Sequence, residues 1–170
     1  MIKLEMCTNT GLCSACGGTI ISESFVLTAA HCVTGFSTFY VIAGSHDVTS
    51  IESSRVTIVS NTTKVHPNWN PTLSLEYDIA LIELPTQLVF NQYIKPLCLS
   101  NYTSSVGEHA SAMGWGLTVD GGSVSPTLQV AHGLPIMSNA DASLVYGPLS
   151  NGIVCIDTSG LKGTCNVSSL

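Results

Sequence analysis

Charge is scarce in this chain. Only 9% of its 170 residues are charged, and five Lys and Arg face eleven Asp and Glu, for a formal net charge of -6 with His neutral. So few cations make no basic patch, which excludes nucleic acid and anionic membrane surfaces as partner classes. Long apolar runs are missing as well. His31 interrupts the stretch from Phe25 to Val33, and Glu83 and Pro85 interrupt the one from Ile79 to Phe90, so neither spans a bilayer. Lys3 and Glu5 fall within Met1 to Met6 with no apolar core behind them, so no secretory signal is expected at the start. A sustained helical period is confined to Ala140 to Tyr146, where Asn139 or Asp141 is placed to cap a short helix. Repeats and low-complexity tracts are lacking too. With 45% apolar residues, the chain is nevertheless long and greasy enough to bury a sizeable core, and disorder is excluded.

The apolar residues that are present come in short β-branched and aromatic runs. Thr19-Ile20-Ile21, Phe25-Val26-Leu27, Phe39-Tyr40-Val41-Ile42 and Val56-Thr57-Ile58-Val59 are separated by Gly, Pro, Asn and Ser. This is the pattern of strands joined by turns, and it predicts an all-β fold. From Pro85 to Ser100 the polar and proline positions Gln87, Asn91 and Pro96 interrupt the apolar residues, which predicts a connector between two halves. Asn61-Thr62-Thr63, Asn101-Tyr102-Thr103 and Asn166-Val167-Ser168 are glycosylation acceptor patterns, a weak pointer to secretion.

Asp78 directly precedes the apolar run Ile79-Ala80-Leu81-Ile82, so its carboxylate is expected to turn inward, where it needs a hydrogen-bond donor. A histidine ring N–H would satisfy it, and His31, beside Cys32, is one candidate. His46, His66, His109 and His132 lack comparable surroundings and are read as ordinary imidazoles. Asp47, beside His46, is set aside as a rival acid because neighbouring residues on a strand point to opposite faces.

Thr28-Ala29-Ala30-His31-Cys32, with Cys16-Gly17-Gly18-Thr19 upstream, is followed in order by Tyr77-Asp78-Ile79-Ala80-Leu81, Gly114-Trp115-Gly116 and Gly163-Thr164-Cys165-Asn166. Together, and over most of the chain, these segments resemble the chymotrypsin-like serine proteases, peptidase family S1. The resemblance implies two antiparallel six-stranded β-barrels, the second incomplete, with about 1–90 forming the first and about 91–170 the linker and partial second of a single trypsin-like domain. It implies a serine endopeptidase of protein or peptide substrates that works through an acyl-enzyme without metal or cofactor and is secreted. His31 would be the base, Asp78 its orienter and Ser169 the nucleophile position, with Val167 and Ser169 at the oxyanion site. Gly163 aligns with the floor of the specificity pocket, where it supplies no charge. With Met137 to Asp141 and Val154 to Thr158, it resembles the serine collagenase, or brachyurin, branch.

The chain holds seven cysteines, an odd number, so at least one thiol has no internal partner. The resemblance implies a Cys16–Cys32 bridge, whose small loop would contribute about 3 kcal/mol in the chain-entropy model. It also implies that Cys155 and Cys165 lack their usual partners, and that Cys98 occupies a position some members bridge to an N-terminal cysteine, for which Cys7 or Cys13 could serve. Cys13-Ser14-Ala15-Cys16 has the spacing of half a zinc site but no matching second pair.

Beyond Asn166 the family pattern Gly-Asp-Ser-Gly-Gly-Pro gives way to Val167-Ser168-Ser169-Leu170. Valine takes the place of an oxyanion-hole glycine, and Ser168 that of the aspartate that receives an activated N-terminus. Met1 to Ala15 likewise contains nothing like the apolar Ile-Val-Gly-Gly start of the family's mature enzymes. The expectation is therefore a family member whose own activity is impaired or absent. The alternatives are a non-catalytic homologue that binds a partner, or an incomplete gene product. Val-Ser can be encoded by GTA-AGT, an intron-like start, so read-through past an exon end is one expectation for Val167 to Leu170.

Overall fold

The computed structural model describes residues 1–72, 76–100, 106–118, 121–150 and 152–158. These fall into two compact units, one taking in Met1–Leu99 and the other lying within Ser100–Asn166.

The first unit contains β1 (Ile2–Cys7), β2 (Cys13–Ile20), β3 (Phe25–Thr28), β4 (Thr38–Ala43), β5 (Val56–Ser60), β6 (Thr62–Val65) and β7 (Ala80–Glu83). They form one antiparallel sheet in the order β5-β4-β1-β2-β3-β7-β6. Its first and last strands are successive pieces of one chain segment, separated by Asn61 alone. The sheet therefore closes on itself, with Val56–Val65 as one bent strand that pairs first with β4 and then with β7. At the bend, the buried Ser60 hydroxyl donates to the Glu83 carbonyl at 2.6 Å, which satisfies backbone that turning takes out of the ladder.

Alternation decides what this sheet encloses. In β1 the side chains of Ile2, Leu4 and Met6 point inward while Lys3 and Glu5 pair with each other outside at 2.7 Å. Phe39, Val41 and Ala43 from β4, Val26 from β3 and Ile82 from β7 meet them, so the core is a filled barrel interior. After β4 the chain turns at Gly44, whose φ of +68° and 2.2 Å clearance from a built Cβ to the Ser54 carbonyl leave room for glycine only.

The second unit contains β8 (His109–Gly114), β9 (Gln129–Met137), β10 (Cys155–Ile156) and α1 (Asn139–Tyr146), with sheet order β10-β9-β8. The helix lies where its period predicts, but its cap differs. Ser138, in extended conformation, accepts the Asp141 N–H and is the N-cap, whereas Asn139 is already the first helical residue and Asp141 stands in the first turn. Serine wins because its short side chain sits immediately before the first turn, where its oxygen reaches the orphan N–H.

The strand runs read from sequence fall in β2, β3, β4 and β5, and the all-β expectation holds. One cysteine expectation is corrected. Cys7 and Cys13 do not reach Cys98 but bond each other, because the β1–β2 hairpin sets them directly opposite at a Cα separation of 4.1 Å. Cys98 and Cys155 are free thiols.

Candidate active site

The segment carrying His31 is fixed from three sides. Strand β3 ends at Thr28, whose buried hydroxyl donates to the Gly17 carbonyl at 2.8 Å and ties the strand end to β2. The small buried residues Ala29 and Ala30 then allow a tight turn, with the Cys32 N–H on the Ala29 carbonyl and the Val33 and Thr34 N–H groups on the Ala30 carbonyl. Cys32, fully buried, bonds Cys16 as expected, which pins the turn to β2. His31 is left facing outward, its side chain 45% exposed.

Asp78 arrives at the same end of the antiparallel β3–β7 pair, where Thr28 lies opposite Ala80. The Ile79 N–H donates to the Tyr77 carbonyl at 2.7 Å, a three-residue turn centred on Asp78 just before β7 begins. Tyr77 takes a φ of 59°, a left-handed conformation that costs a bulky residue about 1–3 kcal/mol unless its surroundings enforce it. The Asp78 carboxylate is half-buried rather than interior, and both its oxygens are used by one residue. Oδ1 accepts the His31 backbone N–H at 2.8 Å, and Oδ2 lies 2.6 Å from His31 Nδ1.

This two-point contact settles the imidazole's roles. A carboxylate oxygen can only accept, so Nδ1 carries the proton, and in the neutral ring Nε2 presents its lone pair. Cys32 Sγ lies 3.4 Å from Nε2 and is a disulfide sulfur with no proton to give. Nε2 therefore stays able to take a proton from another group. Cys16, His31 and Cys32 bring their donor atoms within 4.8 Å of one another, but two of the three are joined sulfurs and offer no thiolate to a metal. Cys13 and Cys16 likewise bond different partners, so the Cys-x-x-Cys spacing is not a ligand pair.

Of the residues singled out from sequence, the structure brings together His31, Asp78, Cys16 and Cys32. Gly163, Val167 and Ser169, with Ser159 and Cys165, lie outside the described residues. Asp47 is occupied elsewhere: its carboxylate accepts the Thr49 N–H and hydroxyl, and these bonds, the hydroxyl foremost, hold it below the usual carboxylate range. Sequence reasoning passed over Tyr77 and His66, whose rings stack at 4.8 Å and 13° one residue from Asp78. The available signal was the placement of Tyr77 immediately before the acid. Ser111 and His132 form an exposed cross-strand pair at 2.8 Å in the second unit.

Comparison with known proteins adds four findings. The profile of the family described as Trypsin matches residues 1–169. Brachyurin of Leptuca pugilator is 40% identical over 155 residues, covering 91% of this chain and 68% of brachyurin. Chymotrypsin-like elastase family member 1 of Homo sapiens is 32% identical over 160 residues, and this chain spans 62% of its length. Among solved structures, that of GrC superposes with a TM-score of 0.87 at 25% identity, covering 99% of this chain and 74% of GrC.

Proposed function

This chain belongs to the trypsin family, and from that premise we propose that it carries the base and orienting acid of a serine endopeptidase, with His31, Asp78 and Ser169 as the triad. The observation that carries the reading is the double hydrogen bond from His31 to the Asp78 carboxylate. With Nδ1–H held by Asp78, the Nε2 lone pair removes the proton of the serine hydroxyl as its oxygen attacks the substrate carbonyl. The same proton then passes from Nε2 to the leaving amine, and the acyl-enzyme is hydrolysed by water through the same base. Asp78 stays ionised throughout and stabilises the transient imidazolium. The substrates are proteins or peptides, and the uncharged Gly163 goes with a broad pocket as in the brachyurin branch. The whole chain is read as one trypsin-like peptidase domain. Two disulfides support an extracellular setting.

Val167 and Ser168 favour a weakened enzyme. A β-branched residue restricts the backbone that aims an oxyanion-hole N–H, and losing one such donor costs about 10²- to 10³-fold in turnover. A fluorophosphonate probe tests the proposal. Slow labelling of Ser169 is expected, absent in His31→Ala. A folded protein that the probe leaves untouched, or labelling that survives His31→Ala, would overturn it, the former in favour of a non-catalytic homologue that binds without cleaving.

A further inference from the structure

Asp78 stands on a backbone that its neighbour disfavours. Among the described residues Tyr77 is the one non-glycine with positive φ, and the turn at Asp78 depends on it. The His66 ring is stacked face to face on the Tyr77 ring, with centroids 4.8 Å apart and planes 13° from parallel. His66 is itself well fixed. Its N–H donates to the Ile79 carbonyl at 3.0 Å, which extends the β6–β7 ladder one step past the pairing of Val65 with Ala80. Its Nδ1 accepts the Asn68 N–H at 3.2 Å, and its carbonyl accepts the Trp69 N–H at 3.0 Å.

The turn that His66 opens also reaches the other member of the pair. Trp69 Nε1–H donates to the Thr34 hydroxyl at 3.2 Å, and that hydroxyl donates to the Ala30 carbonyl at 2.8 Å, one residue before His31. The Trp69 ring packs against the barrel core, which anchors the chain of contacts. One short turn, residues 66–69, thus touches the backbone beside Asp78 at one end and, through the Thr34 hydroxyl, reaches the backbone beside His31 at the other.

We propose that His66 is a positioning residue for the reaction: by clamping Tyr77 in its left-handed conformation it seats the Asp78 carboxylate on His31, while Trp69 and Thr34 hold the His31 segment to the same frame. This rests on the reading of His31 and Asp78 as base and acid. The role of His66 is carried by a flat ring and does not require its proton, so phenylalanine replaces it and alanine does not.

The test reads the Nδ1–H proton of His31 directly, as a far-downfield ¹H resonance whose exchange with solvent reports how firmly Asp78 holds it. In His66→Ala that exchange is expected to quicken about tenfold, the factor for releasing one residue held left-handed. In His66→Phe it should stay within about twofold of the parent, and in a Tyr77→Gly background, where the left-handed turn is free of penalty, His66→Ala should add nothing. Should alanine unfold the barrel by near-ultraviolet circular dichroism, His66→Leu, which keeps volume without a flat face, is expected to behave as alanine otherwise would. Unchanged exchange in the alanine or leucine variant, an undiminished effect in the Tyr77→Gly background, or no downfield proton in the parent would each overturn the proposal. No substrate is involved, so a protein that ignores the fluorophosphonate yet shows these shifts loses the peptidase reading and keeps the brace.

Discussion

In the first unit β1 sends Ile2, Leu4 and Met6 into a closed interior, whereas in the second unit β8 alternates in the same way without fully burying a single residue of His109–Gly114. Both strands pair antiparallel, and the strand period is equally clear in each. The difference lies in what the sheet does next. Seven strands that curl until β5 and β6 join supply their own second layer, while a sheet of β10, β9 and β8 has only α1 beside it in sequence and buries Leu134, Ala142 and Ser125 among its described residues. Alternation marks a strand, and closure decides how deeply its inward face is buried. The His31–Asp78 pair stands on the closed unit, so its geometry draws on the better packed of the two.

The most severe way to sharpen this contrast is to hollow each unit in turn. Ile82→Ala in β7, fully buried, should cost about 4 kcal/mol, and Leu134→Ala in β9 only about 2 kcal/mol, because fewer buried neighbours surround it. Trp69 and Trp115 lie one in each unit, so urea titrations of Trp115→Phe and Trp69→Phe backgrounds follow the first and second units separately. Equal costs would break the comparison.

Smaller effects come from the two bridges of the closed unit. Replacing Cys16 and Cys32 by Ser should lower its stability by about 3 kcal/mol, and replacing Cys7 and Cys13 by about 2 kcal/mol, since loop-closure entropy grows with the length closed. Only the first replacement should also speed exchange at His31 Nδ1–H, because Cys32 is its neighbour. Loss of that resonance on removing Cys7 and Cys13 instead would show that the hairpin tip, and not the turn at Cys32, fixes His31.

The mildest test is acid. The Glu52 carboxylate accepts the Ser45 hydroxyl and the Asp47 and His46 N–H groups, with Arg55 nearby, and these hold it below its ordinary value, the hydroxyl contributing most. A carboxylate lowered on folding adds stability that is present above the ordinary carboxylate range and fades as pH falls through the lowered value. The melting temperature followed by Trp69 should therefore decline on acidification, less steeply in Glu52→Gln. An identical slope in both proteins would remove this loop from the account.

The pairing of His31 with Asp78 was legible in sequence because each sits beside a residue that marks it, Cys32 on one side and an apolar strand on the other. The partners of their backbone were not. A positive φ at Tyr77 and a ring stacked on it from His66, eleven positions earlier in the chain, leave no periodic trace. Among the strands, β1 escaped notice because Lys3 and Glu5 made its start look polar, though they are the outward half of a strict alternation. Strand β9 escaped because Gly133 and Pro135 are poor strand formers, and its place is set by pairing with β8 across a bulge. Val56–Val59 was read as a strand, but its continuation beyond Asn61 depends on β7, a partner that lies far along the chain.

That distant partner governs assembly. Because β3 pairs with β7, Phe25 opposite Glu83, and the bent segment Val56–Val65 cannot be sealed until β7 is in place, the barrel cannot form while the ribosome still holds Glu83. Until then β3 presents a bare edge, the kind of surface on which nascent chains pair with one another. Once released, non-local pairing of this sort sets the pace at about milliseconds to seconds. The His31–Asp78 contact, which spans the same junction, is thus one of the last features of the unit to come into being.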